Sequence, residues 1–288
     1  MRTLGNSYYA NYRLSERIIQ IWDPLYVSAT LILGDEKALL FDTAWGIGNL
    51  REHVAGLTDL PLIIVNSHGH LDHAGGNYQF DQDIYIHEAE IPVAIAHASP
   101  RLREITITDA KKADALPPDF EEEEYRSFYL PGRLIPIQEG HRFDLGGVTL
   151  EAISTPGHSP GAISLLYQEE RILLVGDAAN GFMFLFFEES TSLITYLKTL
   201  YKLHALDFDS LILSHQGPPM LLPKSRIEMY IHCAENIKLE NSEPFHFAPF
   251  PDRQAFIYCE KAKKPSNLSE TNDPEFAAIV YSMDKLQS

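Results

Sequence analysis

A chain of 288 residues, 45% hydrophobic and 22% charged, has the apolar mass for a substantial core and too little charge for a disordered segment. Its 23 basic and 40 acidic residues leave a net charge of −17, and the pairs Lys111-Lys112 and Lys263-Lys264 are not a basic cluster, which excludes nucleic acid as an expected partner. The opening residues 1–17 lack the apolar core of a secretory signal, no stretch approaches the ~20 apolar residues of a membrane span, and Cys233 and Cys259 are too few for a disulfide framework, so a cytoplasmic protein with no membrane partner is expected.

Three β-type runs come first, over residues 17–22, 26–33 and 37–42, the last two joined by the turn Gly34-Asp35-Glu36. A helix is expected over 46–57, a short buried strand over 62–65 and a helix over 88–98. From Ser99 to Ile137 the periodicity fades under Pro100, Pro117, Pro118, Pro131 and Pro136, and the acidic run Glu121 to Glu124 reads as a solvated face, so this segment is expected to be an inserted, partly helical excursion. Strand-like runs resume at 148–154, 162–167 and 171–175, followed by a helix (191–204), a strand (210–213) and a helix (224–238). Two further β-type runs, 255–259 and 277–282, flank a polar loop. No repeat or long linker splits the chain, which predicts a single domain over 1–288 with an insertion at about 99–137 and a C-terminal extension at about 240–288.

The chemistry concentrates in Asn66-Ser67-His68-Gly69-His70-Leu71-Asp72-His73-Ala74-Gly75-Gly76, directly after the apolar run 62–65. A strand running into a loop fixes position and supplies reach. His68 and His70, two apart, leave an extended backbone on one side, Asp72 and His73 continue around the turn, and the two glycines are expected to let the chain bend tightly. These side chains can converge on a metal. Three other strand-like ends each deliver one more candidate: His158 after Ala152-Ile153-Ser154, Asp177 after Ile172 to Val175, and His215 after Leu211-Ile212-Leu213. His53, His87, His97, His141, His204, His232 and His246 sit in unrelated contexts and read as ordinary surface or core residues.

The run His68-x-His70-x-Asp72-His73, followed in order by His158, Asp177 and His215, resembles the metallo-β-lactamase superfamily of hydrolases over well more than half of the chain. The resemblance implies an α/β fold, a four-layer αβ/βα sandwich with a dinuclear metal site at one edge. It implies that His68, His70 and His158 hold one ion, that Asp72, His73 and His215 hold the second, and that Asp177 bridges them; Asp72 and Asp177 are the expected catalytic carboxylates. Asp42, in Leu40-Phe41-Asp42-Thr43, matches an aspartate that supports the site from behind, and a turn-capping carboxylate is the simpler alternative. The implied cofactor is two divalent metal ions. The nitrogen and oxygen donors permit zinc, iron or manganese, with zinc the default. A bridging hydroxide would then be the nucleophile.

Gly157-His158-Ser159-Pro160-Gly161 also fits the nucleophile elbow G-x-S-x-G, with Asp177 and His215 in the right order for a serine hydrolase. That mechanism needs the backbone N–H after the serine as an oxyanion donor, and Pro160 has none. Iron-dependent oxidoreductases resemble the same superfamily, but flavodiiron proteins carry a flavodoxin module that this chain lacks, and persulfide dioxygenases use a single iron.

Among the hydrolases, true β-lactamases lack a carboxylate at the position of Asp177. Lactonases carry a catalytic tyrosine three residues after it, where this chain has Asn180, an amide able to donate a hydrogen bond but not a proton. The apolar stretch Gly181 to Phe187 reads first as core or as the interface of a homodimer, and alternatively as a wall, with Phe182 and Met183 lining a substrate pocket beside Asn180. The expected activity is hydrolysis of an ester-type bond in a small molecule, acyl (ester, thioester or lactone) ahead of phosphodiester.

Overall fold

A computed structural model describes residues 8–127, 132–215, 221–247, 249–250, 252–259 and 276–286. The readings made above for residues 1–7, Pro131, Lys263-Lys264 and the polar loop after residue 259 lie outside the described residues. The chain divides into two compact units, Met1–Leu150 and Glu151–Ser288. Among the described residues no helix is long and apolar enough to cross a membrane.

The first unit is organised by a seven-stranded sheet whose spatial order follows the chain: β1 (Ala10–Arg13), β2 (Ile18–Trp22), β3 (Ser28–Leu33), β4 (Ala38–Phe41), β5 (Leu62–Val65), β6 (Asp83–His87) and β7 (Arg133–Ile137). The early strands are rich in Ile and Leu, and β2 and β4 are buried at every position, as strands covered on both faces must be. From β1 to β4 the pairing is antiparallel through short turns; from β4 to β7 it is parallel. Parallel neighbours need crossover connections. Here they contain α1 (Leu50–Ala55), α2 (Leu71–Ala74), α3 (Ile91–His97), α4 (Pro100–Lys112) and α5 (Glu122–Ser127). β8 (Arg142–Asp144) follows, and the boundary between units falls inside β9 (Thr149–Ser154).

The expected excursion after Ser99 is helical as far as α5, but residues 133–137 form a ladder with β6, from Asp83 opposite Arg133 to His87 opposite Ile137. Pro136 hides this strand from a reading by periodicity, because proline is tolerated in a sheet only where no ladder donor is needed, and β7 is the edge. The helices of the insertion brace the loop after β4: the Tyr125 hydroxyl donates to the Trp45 carbonyl (2.7 Å), and the buried Arg103 guanidinium lies over the Tyr125 ring at 4.6 Å.

In the second unit β9 is joined by β10 (Ile163–Tyr167), β11 (Ile172–Leu174), β13 (Ser210–Ile212) and β14 (Leu222–Pro223), in the spatial order β14-β13-β11-β10-β9. The pairing of β11 with β13 is parallel and that of β10 with β11 antiparallel. β12 (Phe182–Leu185) belongs to a separate four-stranded sheet, order β12-β17-β16-β15, with β15 (Glu243–Phe245), β16 (Ala255–Cys259) and β17 (Ala278–Tyr281), so the C-terminal segment pairs with the strand that follows Asp177. α6 (Leu193–Ala205) and α7 (Ser225–Asn236) bury Tyr196, Leu200, Leu203, Ile227 and Tyr230 in one core with Leu173, Leu211 and Met183; α8 (Met283–Leu286) ends the described chain.

α6 also sets the loop that carries His158. The Thr199 hydroxyl donates to the Pro156 carbonyl (2.6 Å) and the Tyr196 hydroxyl to the Ala178 carbonyl (2.9 Å). A Cβ at Gly157 would lie 2.6 Å from the Tyr196 ring and 3.0 Å from Met183 Cε, both fully buried. Gly157→Ala is therefore expected to cost about 1–3 kcal/mol by overpacking, read as a lower urea midpoint with unchanged slope.

Candidate metal centre

In the first unit the site is made at the carboxyl ends of two parallel neighbours. Phe41 of β4 stands opposite Val65 of β5, so Asp42 and the 66–73 loop leave the sheet side by side, and the Asp42 N–H donates to the Val65 carbonyl (2.8 Å). His70 is the extended residue that starts α2, and Asp72 and His73 occupy that helix. His68, His70 and His73 are buried, with the His68 ring 4.6 Å from that of His70 and 4.2 Å from that of His73, centre to centre. The Asp72 side chain keeps partial exposure and lies 3.7 Å from His73 Nε2.

Asp42 is fully buried, and its carboxylate accepts three hydrogen bonds: the Ser67 N–H at 2.7 Å, the Ser67 hydroxyl at 2.9 Å and His73 Nδ1–H at 2.8 Å. Because the Ser67 hydroxyl spends its proton on Asp42, it accepts from His68 Nδ1–H, 3.0 Å away. Both imidazoles are thus held in the tautomer that places the lone pair on Nε2, the arrangement by which a carboxylate orients a metal-ligating histidine. Asp42 has φ +67, a left-handed conformation that aspartate tolerates better than most side chains.

Several partners carry no signal of their own in the sequence. The His73 carbonyl accepts from the Thr43 N–H (2.8 Å) and from Asn66 Nδ2 (3.2 Å), Asn77 links Asn66 and Thr43, and the fully buried Glu90 accepts from the Gly69 N–H (2.8 Å). His97, read above as ordinary, stacks on His70 at 4.2 Å and 17°. Gly75 and Gly76 also depart from the expectation of a tight bend. Their φ values, −63 and −87, are open to any residue, whereas a Cβ at either would lie 2.4 Å from the Trp45 or Thr43 carbonyl oxygen. Close approach of two backbones, not turn geometry, requires glycine there.

The second unit repeats the device. Leu174 of β11 stands opposite Ile212 of β13, which sends Asp177 and His215 off neighbouring parallel strands. Asp177 Oδ2 lies 3.5 Å from His158 Nε2, and Asp177 Oδ1 lies 3.5 Å from His215 Nε2. His158 Nδ1–H donates to the Phe184 carbonyl (2.9 Å), leaving its lone pair on Nε2 as well. Asn180 is buried; its Nδ2 donates to Asp177 Oδ1 at 2.6 Å and its Oδ1 accepts from the His215 N–H at 3.3 Å. Met183 is fully buried in the α6–α7 core, and Phe182, nearly so, packs with Phe276 in an aromatic cluster.

This donor chemistry fits metal ions. The 3.5 Å separations are long for N–H···O bonds. They are close to the ~3.4 Å expected between a nitrogen and an oxygen that share a tetrahedral zinc at ~2.1 Å from each. The two oxygens of Asp177 face different histidines, as a carboxylate shared between two ions would. Ser159, by contrast, has a buried hydroxyl with no hydrogen-bond partner among the described residues, so the base that would activate a serine nucleophile is not in place.

The sequence pattern of the metallo-beta-lactamase superfamily matches residues 22–215, more than half of the chain. The acyl-coenzyme A thioesterase MBLAC2 of Homo sapiens is 30% identical over 187 residues, 59% of this chain and 66% of that protein, so the chain spans slightly less than two thirds of this relative's length. The probable metallo-hydrolase YqgX of Bacillus subtilis is 28% identical over 208 residues, 68% of this chain and 87% of its own. Among solved structures, a metallo-beta-lactamase from Pontibacter korlensis superposes with a TM-score of 0.56 at 16% identity, covering 80% of this chain and 100% of that one, a likeness of fold.

Asp42→Asn tests the tautomer argument. In either orientation the amide sets its NH2 against a donor that Asp42 now accepts, the Ser67 N–H or His73 Nδ1–H. Divalent-metal affinity measured by chelator competition is expected to fall about 10–100-fold, with the circular dichroism of the native fold retained.

Proposed function

The chain belongs to the metallo-beta-lactamase superfamily and is a metallo-hydrolase with that family's α/β fold, and from that premise we propose that it hydrolyses acyl thioesters at a dinuclear centre assembled from the two donor groups described above. His68, His70 and His158 would hold one ion and Asp72, His73 and His215 the other, with Asp177 shared between them. Zinc is the default among the metals that nitrogen and oxygen donors permit, iron and manganese being the others. When bound, such ions supply a water that is deprotonated near neutral pH and polarise the substrate carbonyl.

The chain's own groups divide the remaining work. Asp42 and the Phe184 carbonyl hold ligand imidazoles in one tautomer and one orientation, which spares reorganisation at the moment of reaction. Asp72, the partly exposed carboxylate of the first group, is the acceptor for the proton lost by the attacking water. Asn180 replaces the acid of the lactonase pattern, and its amide is bound to Asp177, so it orients that carboxylate and has no proton to give.

That engagement of Asn180 is the observation that carries the choice of thioester. An alkoxide leaving group has a conjugate acid about as weak as water, far weaker than a thiol, and departs slowly unless protonated. A thiolate, with a conjugate-acid pKa of about 8.5, departs as the anion and needs no general acid. The similarity to a protein named as an acyl-coenzyme A thioesterase supports the same reading. Phosphodiester hydrolysis and iron-dependent oxidation have no comparable observation behind them.

Protein purified without chelator is expected to carry about two equivalents of zinc by elemental analysis. Against matched substrates it is expected to show kcat/KM at least about tenfold higher for a thioester than for the oxygen ester or lactone, with phosphodiesters lowest, because only the thiolate leaves without an acid. Equal turnover of ester and thioester, or a preference for phosphodiester, would overturn the assignment. Ser159→Ala is expected to leave the thioesterase rate within a few-fold.

A further inference from the structure

We infer that Tyr196 and Arg226, two side chains of the core between α6 and α7, are positioning residues for Asp177: they grip consecutive carbonyls of the loop after it and so hold Asn180 where its amide aims that carboxylate; this inference rests on the reading of Asp177 as the ligand shared between two ions. The loop opens with a turn in which the Ala178 N–H donates to the Val175 carbonyl (3.0 Å) and Gly176 takes φ +54. The next two peptide groups are held from different helices. The Tyr196 hydroxyl donates to the Ala178 carbonyl (2.9 Å) and Arg226 Nε to the Ala179 carbonyl (3.2 Å). Because each peptide group is planar, fixing two in succession sets the course of the backbone into Asn180. Asn180 Nδ2 then donates to Asp177 Oδ1 at 2.6 Å, while its Oδ1 accepts from the His215 N–H at 3.3 Å. Beyond it the loop is pinned to β17, where the Ala278 N–H donates to the Gly181 carbonyl (3.0 Å).

Tyr196 is fully buried and Arg226 nearly so. A buried carbonyl needs a donor, but a neutral hydroxyl suffices, as Tyr196 shows, and bringing a guanidinium into a core is costly. What the guanidinium adds is direction. Its planar fork lies over the buried Tyr230 ring, 5.8 Å from the centroid, so the donor aimed at Ala179 cannot swing freely. Tyr196 and Tyr230 belong to one packed core with Leu200 and Ile227, which makes the two grips parts of one rigid frame. A shared carboxylate requires such a frame. The Asp177 oxygens face His158 Nε2 and His215 Nε2 at 3.5 Å each, and one rotation of the carboxylate would spoil both separations together.

The test compares the wild type with Tyr196→Phe, which deletes one donor and keeps the ring, with Arg226→Met, with the double variant, and with Arg226→Lys, which restores a charged donor. Affinity is measured by chelator competition with zinc as the probe ion, local order by amide hydrogen exchange of the metal-free protein, and the fold by thermal unfolding. Tyr196→Phe and Arg226→Met are each expected to weaken the binding of both ions about tenfold or more, because both ions share Asp177. Arg226→Lys is expected to recover affinity to within about threefold of the wild type. The double variant is expected to lose less than the sum of the two, since both residues act through one loop. In both single variants the His215 amide is expected to exchange about tenfold faster, with the amides of β11 unchanged. Lower unfolding temperatures with affinity and His215 exchange unchanged show a merely structural role and overturn the inference, as do fully additive losses; either result leaves Asp177 standing as the shared ligand. Binding of fewer than two ions by the wild type, together with faster His215 exchange in the variants, overturns the shared-ligand reading of Asp177 and supports the grip on its loop.

Discussion

A carboxylate with no exposure to water must be repaid in hydrogen bonds, and Asp42 is repaid by three. That requirement orders the first donor group. One bond fixes the tautomer of His73 directly, a second passes through the Ser67 hydroxyl to fix that of His68, and the third ties the backbone at Ser67 to the end of β4. The left-handed backbone at Asp42 is a local cost, held there by the surrounding ladder and loops. Replacing any member leaves a buried donor or acceptor unmet, so the arrangement is all or nothing in character.

The two units solve one positional problem in the same way. Parallel strands share an edge at their carboxyl ends, and a residue placed just past one strand meets a residue just past its neighbour. β4 and β5 bring Asp42 to the histidine loop, and β11 and β13 bring Asp177 to His215. The remaining structure steadies these ends. α6 ties down the loop before His158, the helices of the insertion clasp the loop after Asp42, and Glu90 holds the Gly69 N–H between two histidines.

The segment after Asp177 shows how position reassigns a residue type. Asn180, read from sequence as a group facing substrate, is spent on Asp177 and on the His215 backbone. Met183 points into the core between α6 and α7, while its neighbours on β12 join an aromatic cluster supplied from more than fifty residues further along. Alternation along a strand separates these fates. Which face is core and which is open was settled by the strands that pair with β12, not by its own composition.

By itself the sequence determined the strands with strong local patterns, such as 62–65 and 255–259, and the identity of the candidate ligands, because a His-x-His-x-Asp-His run at a strand end is a local signal. It also carried the argument against a serine nucleophile, since Pro160 lacks a donor whatever the fold. Only the tertiary structure decided that residues 133–137 are an edge strand, that Gly75 and Gly76 serve close packing, and that Ser67, Asn77, Glu90 and His97 belong to the site. The reason is range. A hydrogen bond from Ser67 to Asp42 spans 25 residues and one from His158 to Phe184 spans 26. Such partners are chosen by strand register and helix packing, which are properties of the assembled chain and leave no periodic trace in the residues themselves.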